Sequence, residues 1–79
     1  MIIHVKLFAT LLQKVPDAKS GIPFDVELVE GATIADLVRF LSIPDEEVKI
    51  TFVNGLICPD LHILYPGDQV GIFPPVGGG

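Results

Sequence analysis

Apolar and polar residues alternate from the start of the chain. Between Ile2 and Ala9, one face carries Ile3, Val5, Leu7 and Ala9, and the other carries Ile2, His4, Lys6 and Phe8. A period of two describes a strand that rests one face on a core. "TLLQKV" reads as a short helical turn stopped by Pro16, and "PDAKSGIP" as a loop rich in turn formers. Alternation returns in "FDVELVE", with Phe24, Val26 and Leu28 pointing one way and Asp25 and Glu27 the other. The two strands read as an open hairpin.

In "EGATIADLVRFLSIP" the period lengthens. Ile34, Leu37, Val38 and Leu41 share one helical stripe. Thr33 can cap the helix, with Asp36 three positions on completing a capping-box pattern, and Pro44 marks its end. "DEEVKITFVNG" opens acidic and becomes a strand that stops at Asn54-Gly55, a strong turn pair. "LICPD" is a short strand remnant. "YPGD" is a turn, with Pro66 pre-set in φ and Gly67 free to take positive φ. "QVGIF" is the last strand, Val70 and Ile72 inward and Phe73 outward. One helix crosses a mixed sheet and covers one face of it, an α+β arrangement. The first and last strands are the most apolar and should pair in parallel at the centre. This is the β-grasp, or ubiquitin-like, architecture. Residues 1–75 are expected to form the domain and residues 76–79 a flexible tail.

Seventy-nine residues make one small domain. The hydrophobic fraction, 49%, lies above that of a disordered chain. No apolar run approaches the roughly 20 residues that span a bilayer, and "MIIHVKLFAT" lacks the charged lead and long apolar stretch of a signal peptide. The single cysteine, Cys58, excludes an internal disulfide framework. These features point to a cytoplasmic protein without a membrane partner. The net charge of −5 leaves no basic stripe for nucleic acid. It suits either a chain kept soluble by its charge or one that docks on basic partners.

Chemistry-bearing motifs are sparse. There is no glycine-rich phosphate loop, no paired metal-ligand motif and no nucleophile elbow, so neither a metal nor a bound cofactor is expected. His4 and His62 are far apart in sequence and read as surface or half-buried residues. Cys58 sits in a short apolar strand with no basic neighbour to activate it, and reads as a small packing residue. Asp45, Glu46 and Glu47 read as a solvated helix or turn start.

The unusual feature is the ending, "FPPVGGG". Pro74 and Pro75 fix φ twice and force an extended exit from the last strand. Val76 offers one apolar grip. Gly77, Gly78 and Gly79 form a chain thin enough to thread a narrow channel, and its one functional group is the α-carboxylate of Gly79. Such an end is either an untidy terminus or a working group. A carboxylate is inert to nucleophiles at neutral pH and becomes reactive as a mixed anhydride with AMP. Nothing in this chain performs that step, so ATP would be used in trans by another enzyme.

"VNGLICPDLHILYPGDQVGIFPPVGGG", together with "VKLFAT" near the start, resembles the ubiquitin-like sulfur carriers, in particular the small subunit of molybdopterin synthase. The resemblance implies a terminal glycine that is adenylated by a ubiquitin-activating-type enzyme and then converted to a thiocarboxylate by a sulfur donor system. It implies a molybdopterin synthase large subunit into which the tail inserts, and sulfur delivery to a pterin precursor of the molybdenum or tungsten cofactor. On this chain Gly79 would bear the sulfur and Gly78 would let it be approached. Phe8, Ile57 and Phe73 match the partner-facing surface, with Pro74, Pro75, Val76 and Gly77 continuing it into the tail. Alternation agrees for Phe8 and Phe73, which point away from the expected core. The competing reading packs both under the loop from Thr10 to Pro23. Carriers for thiamine synthesis or tRNA thiolation and protein modifiers share the fold and the double glycine. A ubiquitin-like interaction module whose tail is never activated is the remaining alternative.

Overall fold

The computed structural model describes residues 1–16 and 18–75. The expected tail, residues 76–79, lies outside them. Five strands, β1 (Ile2–Leu7), β2 (Phe24–Glu27), β3 (Ile50–Val53), β4 (Leu56–Ile57) and β5 (Gln69–Phe73), form one sheet in the order β2-β1-β5-β3-β4. The central pair, β1 and β5, is parallel, with Val5 beside Val70 and Leu7 beside Ile72. Every other pairing is antiparallel. Among the described residues one α-helix, α1 (Ile34–Phe40), lies between the two hairpins in sequence, and short 3-10 helices span Ala9–Lys14 and Asp45–Glu47. This is the ubiquitin-like β-grasp. Among the described residues no helix is long and apolar enough to cross a membrane.

The inward positions of the alternating strands make the core. Ile3, Val5 and Leu7 of β1, Val26 of β2, Val53 of β3, and Val70 and Ile72 of β5 are buried against Ile34, Leu37 and Val38 of α1. The helix begins where the sequence places it. Thr33 Oγ1 accepts from the Asp36 amide at 3.2 Å, and the Asp36 carboxylate accepts from the Thr33 amide at 2.9 Å, closing the capping box. The Thr33 backbone amide first, the nearby Thr33 hydroxyl second and Arg39 after them favour the charged Asp36 carboxylate and hold its carboxyl below the usual range.

Two boundaries differ from the sequence reading. The first strand stops at Leu7, so Ala9 leaves the core face. It turns with φ 52° into the 3-10 helix and is exposed, while Leu11 is fully buried. A left-handed alanine costs roughly 1–2 kcal/mol. Burying a leucine returns about 1.5–3 kcal/mol, so the earlier exit is favoured. The helix also ends before Pro44 acts on it. Ser42 takes φ 60°, its amide donates to the Arg39 carbonyl at 3.0 Å, and the Ile43 amide donates to the Val38 carbonyl at 3.1 Å. That pair of bonds is a Schellman cap with serine in the left-handed position. Leu41 is left half-buried at the C-cap, and Ile43 is drawn into the core.

Candidate partner-docking site

Strand alternation decides what the face of the sheet away from α1 presents among the described residues. Phe8 follows β1 and Phe73 ends β5, so the parallel pairing sets their rings side by side. They stack with centroids 4.1 Å apart and planes 5° from parallel. Phe52, on β3, meets Phe73 edge-on at 5.5 Å. Gly71 lies opposite both Lys6 and Phe52. A Cβ there would sit 3.6 Å from Phe8 Cε2 and 3.7 Å from Phe73 Cε1. The glycine therefore floors a shallow depression walled by three aromatic rings. Ile57 pairs directly with Phe52, which puts it on the same face, 66% exposed.

A polar end completes this face. His4 Nδ1 lies 2.7 Å from Asp25 Oδ1, across the register that pairs β1 with β2. Lys6 and Gln69 line the depression beside them. The surface thus offers aromatic walls around a glycine floor to an apolar anchor, and hydrogen-bonding groups at its rim.

Of the expected site residues, Phe8, Ile57 and Phe73 do share this face. Phe8 and Phe73 are half-buried rather than free. A Cβ at Gly21 would lie 3.7 Å from Phe8 Cε1, so the loop brackets Phe8 as well. The two expectations for Phe8, outward face and packing beneath the loop, thus combine. Phe52 and Gly71 escaped the sequence reading. The inward register of Thr51 and Val53 was the signal that could have exposed Phe52. Cys58 packs against the core edge, its amide donating to the Thr51 carbonyl at 3.0 Å. Asp45, Glu46 and Glu47 form the second 3-10 helix, and Lys14 Nζ reaches Glu47 Oε2 at 3.2 Å.

The same face leads into the tail. The Lys49 amide donates to the Phe73 carbonyl at 2.8 Å, which fastens β5 to its last residue. Pro74 follows half-buried and Pro75 exposed. Val76, Gly77, Gly78 and Gly79 lie outside the described residues.

Comparison with known proteins agrees with this geometry. The ThiS family model matches residues 5–79. A candidate molybdopterin converting factor subunit 1 from Pyrococcus furiosus is 28% identical over 96% of this chain and 99% of its own, with a TM-score of 0.71. SAMP1 of Haloferax volcanii, a small archaeal modifier protein, is 24% identical over the whole of both chains, with a TM-score of 0.72. A structure of subunits 1 and 2 of the Helicobacter pylori molybdopterin-converting factor in complex matches at 20% identity over the whole of both chains, with a TM-score of 0.62. The last two likenesses are of fold. No curated protein sequence matched. With a family model that runs from β1 to the last glycine, on a β-grasp body with an open aromatic face, the chain belongs to the ThiS family of ubiquitin-like sulfur carriers.

Proposed function

We propose that this protein carries sulfur on the α-carboxylate of Gly79 and donates it as the small subunit of a molybdopterin synthase, in molybdenum or tungsten cofactor biosynthesis. An adenylating enzyme of the ubiquitin-activating type uses ATP to join the Gly79 carboxylate to AMP, with pyrophosphate leaving. The anhydride makes the carbonyl carbon electrophilic. A sulfur donor system then replaces AMP, and the product is a thiocarboxylate. Gly78 leaves room for reagents on both sides of that carbon. The synthase large subunit docks on Phe8, Phe52, Ile57 and Phe73, and Pro74 and Pro75 aim the tail into its active site with Val76 and Gly77 as the leading segment. Body docking offsets the entropy lost when the glycines are ordered.

The observation that carries this reading is the family match through residue 79 on a chain whose last strand ends in a stacked aromatic cluster. The likeness to a candidate converting-factor subunit over nearly the full length favours the molybdopterin branch. The test is intact-mass analysis, with fragmentation of the C-terminal peptide, after incubation with ATP, the host adenylating enzyme and its sulfur donor. A mass increase equal to the difference between sulfur and oxygen, mapped to Gly79, is expected. An unmodified carboxylate would leave an interaction module, and a Gly79 isopeptide on lysines of other proteins would mark a modifier.

A further inference from the structure

The sheet has two ends, and its charges are not shared evenly between them. β1 and β5 run in parallel toward the tail, so residues that follow β1 or flank the end of β5 belong to the tail end. All four lysines go that way. Lys6 pairs beside Gly71, Lys14 reaches Glu47, and the Lys49 amide bonds the Phe73 carbonyl. Lys19 lies in the loop whose Gly21 amide donates to the Leu7 carbonyl at 3.3 Å. The opposite end gathers the start of β1, the end of β2, the start of α1 and the start of β5. It carries Glu27, Glu30, Asp60 and Asp68. Among the described residues the cations nearest to it are already engaged. Arg39 pairs with Asp36 at 3.1 Å, and the Met1 ammonium donates to the Leu28 carbonyl at 2.7 Å.

An apolar stripe crosses this acidic end. Residues 61–65 run extended past the start of α1, with Thr33 bridged to Ile63, the Ile34 amide donating to the His62 carbonyl and the Leu64 amide donating to the Ala32 carbonyl. Alternation follows. Leu64 is 1% exposed, whereas Leu61 is 79%, Ile63 47% and Tyr65 63% exposed. Val29, in the neighbouring turn, is equally bare. None of these four side chains belongs to the core, which Leu64, Leu28 and Ala32 enter instead. Exposed apolar groups gathered together and rimmed by charge mark interaction surfaces.

We propose that this end of the molecule is a second docking surface for a protein segment that is basic and carries an apolar anchor. The acidic rim selects a cationic partner and repels an acidic one. The stripe of Leu61, Ile63 and Tyr65, with Val29 beside it, supplies the contact. The surface lies at the far end of β1 and β5 from Pro75, so its partner binds while the tail is engaged elsewhere. Nothing in this inference depends on sulfur reaching Gly79.

The test uses the full chain labelled with nitrogen-15 and a short amphipathic peptide of lysine and leucine as the probe, read by amide shifts. The expected shifts fall on residues 29–31 and 61–65, fade as salt is raised, and shrink for an all-lysine peptide and for a glutamine–leucine peptide. Glu27→Lys with Glu30→Lys should weaken binding by about tenfold or more. Leu61→Ser should weaken it severalfold while leaving the spectrum of the rest of the chain unchanged, which guards against a folding artefact. Shifts centred on Phe52 and Phe73 would overturn the proposal, as would equal response to either control peptide. Shifts at residues 61–65 on concentrating the chain alone would assign the stripe to a second copy and overturn it too.

Discussion

Truncating Phe73 to alanine separates what the aromatic face does for the fold from what it does for docking. Phe73 stacks on Phe8 at 4.1 Å and receives the edge of Phe52 at 5.5 Å. Each aromatic pair contributes roughly 0.5–1.5 kcal/mol beyond simple burial. Losing both, on a half-buried ring, should cost about 2–3 kcal/mol, less than the 3–5 kcal/mol of a fully buried phenylalanine. A small domain holds roughly 5 kcal/mol or more, so the variant stays well over nine-tenths folded and melts on the order of 10–20 °C lower. On the proposed function, binding to the synthase large subunit should suffer separately. A central aromatic anchor is worth about 2 kcal/mol or more, which is roughly thirtyfold in affinity. Thermal melts followed by circular dichroism and titration calorimetry below the variant's melting range measure the two effects. A double-mutant cycle with Phe8→Ala should show a coupling of about 0.5–1.5 kcal/mol. Coupling near zero would refute the stack, and unchanged affinity in the folded variant would refute the face as the docking site.

Three further changes probe the body. Ser42→Gly should stabilise by about 0.5–1 kcal/mol and raise the melting temperature by several degrees, because Ser42 holds φ 60° in the Schellman cap where glycine carries no Cβ penalty; a lower melting temperature would contradict that geometry. Thr51→Val should stabilise by about 1 kcal/mol in denaturant titration, since the Thr51 hydroxyl is buried without a hydrogen-bond partner and valine keeps the shape. For Asp36 the folded carboxyl titrates below its ordinary unfolded value, so its contribution is fully present above that ordinary value and is lost as pH falls through the lower folded value. Asp36→Asn should flatten the acid limb of a stability–pH curve below that point, and an unchanged limb would assign acid sensitivity to other groups.

The parallel central pair was legible because the inward sets of β1 and β5 are clear. Ile3, Val5 and Leu7 on one side and Val70 and Ile72 on the other leave one register that buries all five, and a slip by one residue would expose them. The turn at Asn54-Gly55 was legible for a local reason: both residues adopt positive φ, 51° and 87°, as a two-residue hairpin loop requires. Ala9 and Ser42 were not legible. Each is a non-glycine residue in a left-handed conformation chosen by what lies beyond it, Leu11 in one case and Ile43 in the other, and no local propensity reports that competition. Likewise the aromatic site was half visible. Alternation names which residues point outward, but the contact of Phe8 with Phe73 needs the parallel pairing of segments some sixty residues apart in sequence, and the role of Gly71 appears only when rings close over it.

That parallel pairing also connects architecture to function. In a β-grasp the last strand lies at the sheet's centre, held on one side by β1 and on the other by β3. Its final carbonyl is still bonded, to the Lys49 amide. The point at which the chain leaves the body is therefore among the best-anchored in the molecule, and Phe73, the last anchored residue, is also the centre of the aromatic cluster. A partner that grips Phe8, Phe52 and Phe73 fixes the origin of residues 74–79 within the same contact. Two prolines then limit the directions available from that origin. A tail hung from an edge strand would lack both constraints, because fraying at the edge would move the origin and the docking face together. On the proposed reading, the placement of β5 between two hairpins lets the body set both the origin and the docking face from which the Gly79 carboxylate is delivered.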